Sequence, residues 1–161
     1  MKAATAPIVL LLPGLFIALT LAPGTRAQPV PPTQALPGAP APAPIARELE
    51  AAVAQAVRRV EAKDLEGVMA LVSEEYRTGP LTKGVVRAQL LGIFQLYEAL
   101  RVRVRVEEIR LVGEHAWIVS TGEVFGRLPL LGEWVRALAW ERELEIARRE
   151  AGGWRLYGYQ Q

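Results

Sequence analysis

The chain divides by the period of its apolar residues into a helical half and a strand half. Leu49, Val53, Val57 and Val60 recur at spacings of four, four and three, and Ala52 and Ala56 widen the stripe. That period predicts an amphipathic helix over roughly residues 48 to 60. Lys63-Asp64 breaks it, and Asp64 supplies an oxygen that can cap a second helix whose stripe is Leu65, Val68, Met69 and Val72, ending near Tyr76. Arg77-Thr78-Gly79-Pro80 reads as a turn, and Thr82 as the cap of a third helix carrying Val86, Leu90, Ile93, Tyr97 and Leu100.

The period then falls to two. Val102, Val104 and Val106 alternate with Arg101, Arg103 and Arg105, which predicts a strand with one buried and one wet face. Glu107-Glu108 breaks the phase, and Ile109 and Leu111 resume it one residue late, as at a β-bulge. A tight turn at Val112 to His115 lays the next strand back, with Leu111 opposite Ala116, Ile109 opposite Ile118 and Val106 opposite Ser120. A third strand is expected from Trp134 to Ala147 after the loop Gly126 to Gly132. Its even positions (Trp134, Arg136, Leu138, Trp140, Arg142, Leu144 and Ile146) form the apolar face, so Glu141, Glu143 and Glu145 should meet solvent. Gly152-Gly153 turns the chain into a last strand, Trp154 to Tyr159. Helices followed by an antiparallel meander give an α+β fold with three N-terminal helices packed on a curved four-stranded sheet.

Two segments precede this domain. Residues 1–27 carry Lys2, an apolar run interrupted at Pro13-Gly14, and the small-residue site Thr25-Arg26-Ala27. These are the parts of a signal peptide cleaved after Ala27, which makes the mature protein periplasmic or secreted. An uncleaved N-terminal anchor is the alternative. Residues 28–45 contain seven prolines in eighteen positions and no charge, the composition of an extended spacer. Residues 46–161 make the folded domain.

Removing the leader changes the charge balance. Lys2 and Arg26 leave with it and no acid does, so of 19 basic and 17 acidic residues the mature chain keeps 17 of each. A neutral domain lacks the basic surface of a nucleic-acid binder. With no cysteine there is no disulfide, thiol nucleophile or lipid-modified cysteine, and with one histidine a zinc site of His and Cys is excluded. No cofactor motif is present, and no stable membrane insertion is expected after cleavage.

The stretches AVRRVEAKDLEGVMALVSEEYR, VRVEEIRLVGEHAWIVSTGEV and ELEIARREAGGWRLYGY, which together span most of residues 46–161, resemble the nuclear transport factor 2-like superfamily, above all its SnoaL-like bacterial members. The resemblance implies a cystatin-like cone in which the sheet curls around a cavity that the helices close. It also implies a possible homodimer through the outer sheet face. Members include isomerases, cyclases, dehydratases and hydrolases, along with binding modules without activity, so whether this chain catalyses is left open.

Enzymes of the superfamily often set an aspartate in the cone, alone or with histidine or arginine. Here the only aspartate is Asp64, at a helix cap, and His115 lies in a hairpin turn. Arg142 stands out because it falls on the apolar face between Trp140 and Leu144, where an unpaired charge is costly. It could hold a carboxylate or phosphate or polarise a carbonyl, form a structural ion pair with a helix glutamate, or snorkel to the cavity mouth. Tyr97, Tyr76, Trp134, Trp140, Trp154 and Ser120 could line the same space. The leading expectation is a binding module for a small apolar or anionic ligand anchored by Arg142. An isomerase- or cyclase-type enzyme using Tyr97 or Tyr76 with a glutamate, and a non-catalytic envelope assembly module, are the alternatives.

Overall fold

A computed structural model describes residues 36 to 159, so the leader, its cleavage site and the first eight residues of the proline tract lie outside the described residues. The elements run β1 (Ala39–Pro40), α1 (Ala43–Glu61), α2 (Leu65–Met69), β2 (Arg77–Thr78), β3 (Leu81–Thr82), α3 (Lys83–Leu96), β4 (Ala99–Val112), β5 (His115–Arg127), β6 (Trp134–Glu150) and β7 (Gly153–Leu156). Among the described residues no helix is long and apolar enough to cross a membrane.

The end of the proline tract belongs to the fold. Pro44 stands in the first turn of α1, where an amide N–H has no intrahelical partner to lose. Ala39 and Pro40 pair with Leu111 and Arg110 as a short edge strand, the sheet position that tolerates proline. Arg110 fastens this strap by donating from Nε to the carbonyls of Pro37 and Gly38, both at 3.2 Å.

Both expected caps are present. The Asp64 carboxylate accepts from the Gly67 amide at 2.9 Å, and Thr82 Oγ1 accepts from the Val85 amide at 3.5 Å. Arg59 also pairs with Asp64. The second helix stops at Met69 instead of running to Tyr76, because β7 captures the backbone that would continue it. The Leu156 N–H donates to the Leu71 carbonyl at 2.9 Å, and the Ser73 N–H to the Leu156 carbonyl at 2.9 Å. The third helix stops at Leu96: Tyr97 is extended, and Leu100 lies on β4.

The sheet has the order β1-β4-β5-β6-β7, and β2 pairs with β3 in a separate hairpin. The β4–β5 register is the expected one, with Leu111 opposite Ala116, Ile109 opposite Ile118, Val106 opposite Ser120 and Glu107 bulged out. The β5–β6 register differs from expectation. It shifts between Ser120 and Gly122 and again between Val124 and Phe125, which inserts extra β6 residues at Glu141–Arg142 and at Ala137. Each insertion exchanges the two faces. Leu138 and Trp140 point inward, but Trp134 and Arg142 do not, and past the second bulge Glu145 and Ala147 take the inner face.

The helices close the concave side. Val60, Val68, Met69, Val72, Leu90, Ile93 and Phe94 pack against Leu100, Val102, Val124 and Trp140. A second group, Leu49, Ala116, Ile118 and Ala147, lies under the first half of α1 with Trp154 beside it. Full burial of each such Leu, Ile, Val, Phe or Met contributes roughly 1.5–3 kcal/mol.

Candidate functional site

The residues expected to line the cavity are split by the two bulges. Arg142 is outside, its side chain 61% exposed, and Nη1 donates to Glu107 Oε2 at 2.5 Å. Its backbone is left-handed, with φ 48°, the geometry of a bulge residue. The anchor role expected of it is therefore corrected, and so is the ion pair expected with a helix glutamate, since its partner Glu107 stands on β4. Trp134 is also on the outer face, where the Arg101 guanidinium lies 4.1 Å from its ring centre. Trp140 and Ser120 are interior but occupy each other, the indole Nε1 donating to Ser120 Oγ at 3.1 Å in the core. The Tyr97 ring lies against the bare backbone of Gly126. Tyr76 is buried, and Trp154 lines a cavity. His115 opens β5 and stacks obliquely on Tyr157 at 5.2 Å.

The group that the bulges bring inward is Glu145. Expected in solvent, it is 3% exposed, opposite Ile118 on the inner face. It lines a cavity of about 80 Å³ between α1, the chain after α2 and the β5–β7 part of the sheet. Val53 and Ala56 of α1, Val72, Ile118 and Trp154 supply apolar wall around it. The Trp154 indole Nε1–H is buried and meets no hydrogen-bond acceptor. A buried donor without an acceptor is costly in an interior and carries chemical information.

Two tyrosines adjoin this carboxylate. Burial, with the Glu145 charge second, pushes the Tyr76 hydroxyl up to about 12. The same two causes, in the same order, push Tyr159 up as well. Both hydroxyls therefore stay protonated through neutral pH. The Tyr159 amide donates to Thr78 Oγ1 at 3.1 Å, and its hydroxyl donates to the Leu144 carbonyl, which holds the C-terminal segment across the inner end of β6.

No protein-family model matches the sequence, and no curated protein does either. Solved structures do match the fold. A candidate aromatic ring hydroxylase from Novosphingobium aromaticivorans superposes with a TM-score of 0.63 at 15% identity, covering 74% of this chain and 88% of that one. A candidate dehydratase of the NTF2-like family from Streptomyces avermitilis gives 0.61 at 17% identity, covering 73% and 95%. A ketosteroid isomerase-like protein from Erwinia carotovora atroseptica gives 0.55 at 19% identity, covering 70% and 90%. The chain has the nuclear transport factor 2-like fold.

In this nuclear transport factor 2-like cone the larger concavity lies outside. A solvent-open saddle of about 960 Å³ crosses the outer face of β4, β5 and β6, and its rim includes Arg103, Arg105, Glu107, Glu123 and Arg142. These charges are already joined: Arg103 to Glu123 at 3.2 Å, and Arg105 and Arg142 both to Glu107. Exposed pairs of this kind contribute roughly 0–1 kcal/mol each, and they hold the bulged sheet face in register. The interior cavity, smaller and apolar, is where a buried carboxylate is brought against a wall that a ligand can touch.

Proposed function

We propose that the protein binds a small, mainly apolar molecule inside the cone, with Glu145 as the polar group that orients it. The observation that carries this reading is a carboxylate 3% exposed on the wall of an apolar cavity. With Arg142 outside, the ligand is neutral or cationic at its polar end, and the anionic option is dropped. Pockets for drug-sized ligands run to roughly 300–1,000 Å³. At about 80 Å³ this cavity admits a few non-hydrogen atoms, or the apolar end of a larger molecule entering between α1 and β7. The isomerase-like and dehydratase names among the fold neighbours support use of the cone by analogy only.

The test is native mass spectrometry of protein recovered from its host under gentle conditions. The expected result is a small-molecule adduct that is lost in Glu145→Leu and in Ala56→Phe, which fills the cavity from α1. An adduct retained in both variants would overturn this reading.

A second reading is favoured by one observation. Glu145 lies close enough for its charge to act on the buried Tyr76 hydroxyl, so a potential base and a protonated donor share the interior. Isomerase-type proton transfer with these roles predicts that Glu145→Gln binds the ligand unchanged yet no longer converts it. Loss of binding and conversion in parallel would leave only the binding reading.

We also propose that the domain works outside the cytoplasm, on the strength of the leader alone. Intact-mass measurement of the mature protein checks this. The expected N-terminus is Gln28; one at Met1 would favour the anchor.

A further inference from the structure

We infer that the hairpin between β5 and β6 docks the domain reversibly on a lipid surface. Leu130 and Leu131 enter the acyl boundary, Trp134 sits at headgroup level, and Arg101 and Arg136 meet the phosphates. This tip stands at the far end of the sheet from the Glu145 cavity and does not depend on it. The five residues Leu128 to Gly132 carry no charge. Leu130 is 105% exposed and Leu131 70%, the most exposed large apolar side chains among the described residues. The loop that holds them out is fixed by its own backbone. Leu128 N–H donates to the Glu133 carbonyl at 2.9 Å, Gly132 N–H to the Leu128 carbonyl at 3.1 Å, and Leu131 N–H to the Pro129 carbonyl at 2.8 Å. The last bond closes a three-residue γ-turn on Leu130 at φ 69°, the strained hand of that turn, which glycine or asparagine would take at less cost. A single exposed leucine is ordinary, but an adjacent pair held out on strained backbone is not.

What lies behind the leucines selects the partner. Trp134 begins β6 on the outer face, with the Arg101 guanidinium 4.1 Å from its ring centre. Arg101 and Arg136 flank Phe125 in one row across the sheet. Two strand residues separate Arg136 from Trp134, which sets that row about 7 Å further from the tip. Arg103 and Arg127 are paired with Glu123 and Glu98, whereas no carboxylate pairs with Arg101 or Arg136 among the described residues. The acid that adjoins the tip is Glu133, which is exposed. Leucine outermost, then tryptophan, then arginine is the order of depth in a bilayer interface, from hydrocarbon through headgroup boundary to phosphate. The end of α3 meets the base of the same hairpin, Glu98 N–H donating to the Arg127 carbonyl at 2.9 Å, and adds the exposed Leu96 to this end. A second protein fits less well. A standard interface takes about 800 Å² from each partner, and a projecting knob of two leucines supplies only a fraction of that.

Protein recovered from its host is co-sedimented with vesicles of phosphatidylcholine alone and of phosphatidylcholine mixed with phosphatidylglycerol. Binding is expected to both, at least about fivefold tighter on the anionic vesicles. Leu130→Asn combined with Leu131→Ser should weaken it at least about hundredfold on either, each buried leucine being worth about tenfold or more. Asparagine suits the left-handed position, so the urea midpoint of this variant should not fall. Arg101→Gln combined with Arg136→Gln should remove the anionic preference and keep the rest. A preference that survives this change overturns the place given to the arginines. Equal binding of the parent and the leucine variant overturns lipid docking by the tip and assigns any lipid affinity to the leader. No binding by the parent overturns it too, and a dimer seen by light scattering in the parent but not in the leucine variant then makes the tip a contact between copies.

Discussion

Glu107 and Arg142 join two β-bulges across the strand between them. Each stands in the extra turn of backbone of its own strand, and Thr121 of β5 sits between. Arg142 Nη1 donates to Glu107 Oε2 at 2.5 Å, and its backbone N–H donates to Thr121 Oγ1 at 3.0 Å. Thr121 Oγ1 in turn donates to Glu107 Oε1 at 2.7 Å. Bulges bend a sheet and exchange its faces, so the two bulges that this cluster spans decide which β6 residues look into the cone. Arg142 faces out and Glu145 faces in for the same reason.

Replacing Arg142 with glycine is therefore expected to be nearly neutral. The change relieves a left-handed backbone that costs a non-glycine residue roughly 1–2 kcal/mol. It gives up an exposed ion pair of roughly 0–1 kcal/mol and adds about 0.5–1 kcal/mol of chain entropy cost. Urea denaturation of Arg142→Gly should find stability within about 1 kcal/mol of the parent, with ligand adducts intact. A loss beyond about 2 kcal/mol would mean the guanidinium carries a load the ion pair does not explain.

Gly126 is fixed by what lies over it. A Cβ there would stand 2.2 Å from the Tyr97 ring, with no backbone strain involved. Gly126→Ala is expected to destabilise by about 1–3 kcal/mol through overpacking. Tyr97→Leu should recover part of that loss in the double variant, and a double-mutant cycle measures the coupling. Simple additivity of the two changes would refute the contact as the cause.

The parts of the fold that were legible in the sequence are those where a break in pattern is written in residue type. The doubled glutamate at Glu107-Glu108 marks the β4 bulge, and the whole β4–β5 register follows from it. Asp64 and Thr82 mark helix starts because their oxygens meet the first amides. The bulges in β6 carry no such mark. Trp134 to Ile146 keeps an unbroken even-position pattern, and Arg142 occupies a left-handed position where glycine or asparagine would have signalled the turn. Reading that strand as regular moved Arg142 into the cone and Glu145 out of it. The early end of α2 was equally hidden, since its cause is a hydrogen-bond partner, Leu156, some eighty positions away. Trp154 and Tyr76 were named from their types, and Tyr76 is buried and Trp154 half-buried, but the place of Tyr76 beside Glu145 needed the register.

Stability should fall steeply in alkali through Tyr76. Its hydroxyl ionises near 10 when the chain is unfolded and only near 12 when folded. The folded state thus holds the proton more tightly, so the contribution is whole below pH 10 and is lost as pH rises from 10 to 12. Two pH units correspond to at most about 3 kcal/mol. Denaturant titrations at several pH values above 9 should show Tyr76→Phe losing less stability across this window than the parent. Identical slopes would show that the carboxylate and its burial do not bear on this hydroxyl.

Acid should loosen the other side of the same strand through Arg148. Its Nη1 lies 2.9 Å from Glu75 Oε2, its Nη2 lies 2.8 Å from Glu150 Oε1, and its guanidinium covers the Tyr157 ring at 4.1 Å. The hydrogen bond from Arg148 holds the Glu75 carboxyl below its ordinary value near 4.5. For Glu150 the Ser73 hydroxyl, donating at 2.6 Å, is the larger cause and Arg148 the second. A carboxyl depressed by folding adds stability above its ordinary value, and this is lost as pH falls below it through the folded value. Arg148→Met keeps the packing on Tyr157 and removes the charge. Its stability curve should therefore be flatter than the parent's below pH 4.5, and flatter again on adding Ser73→Ala, with the slope that is left belonging to Asp64, Glu66 and Glu107, which other partners hold low. If the acid limb is unchanged in the double variant, protonation elsewhere governs acid unfolding, and the link from β6 to the segment after α2 contributes only by packing.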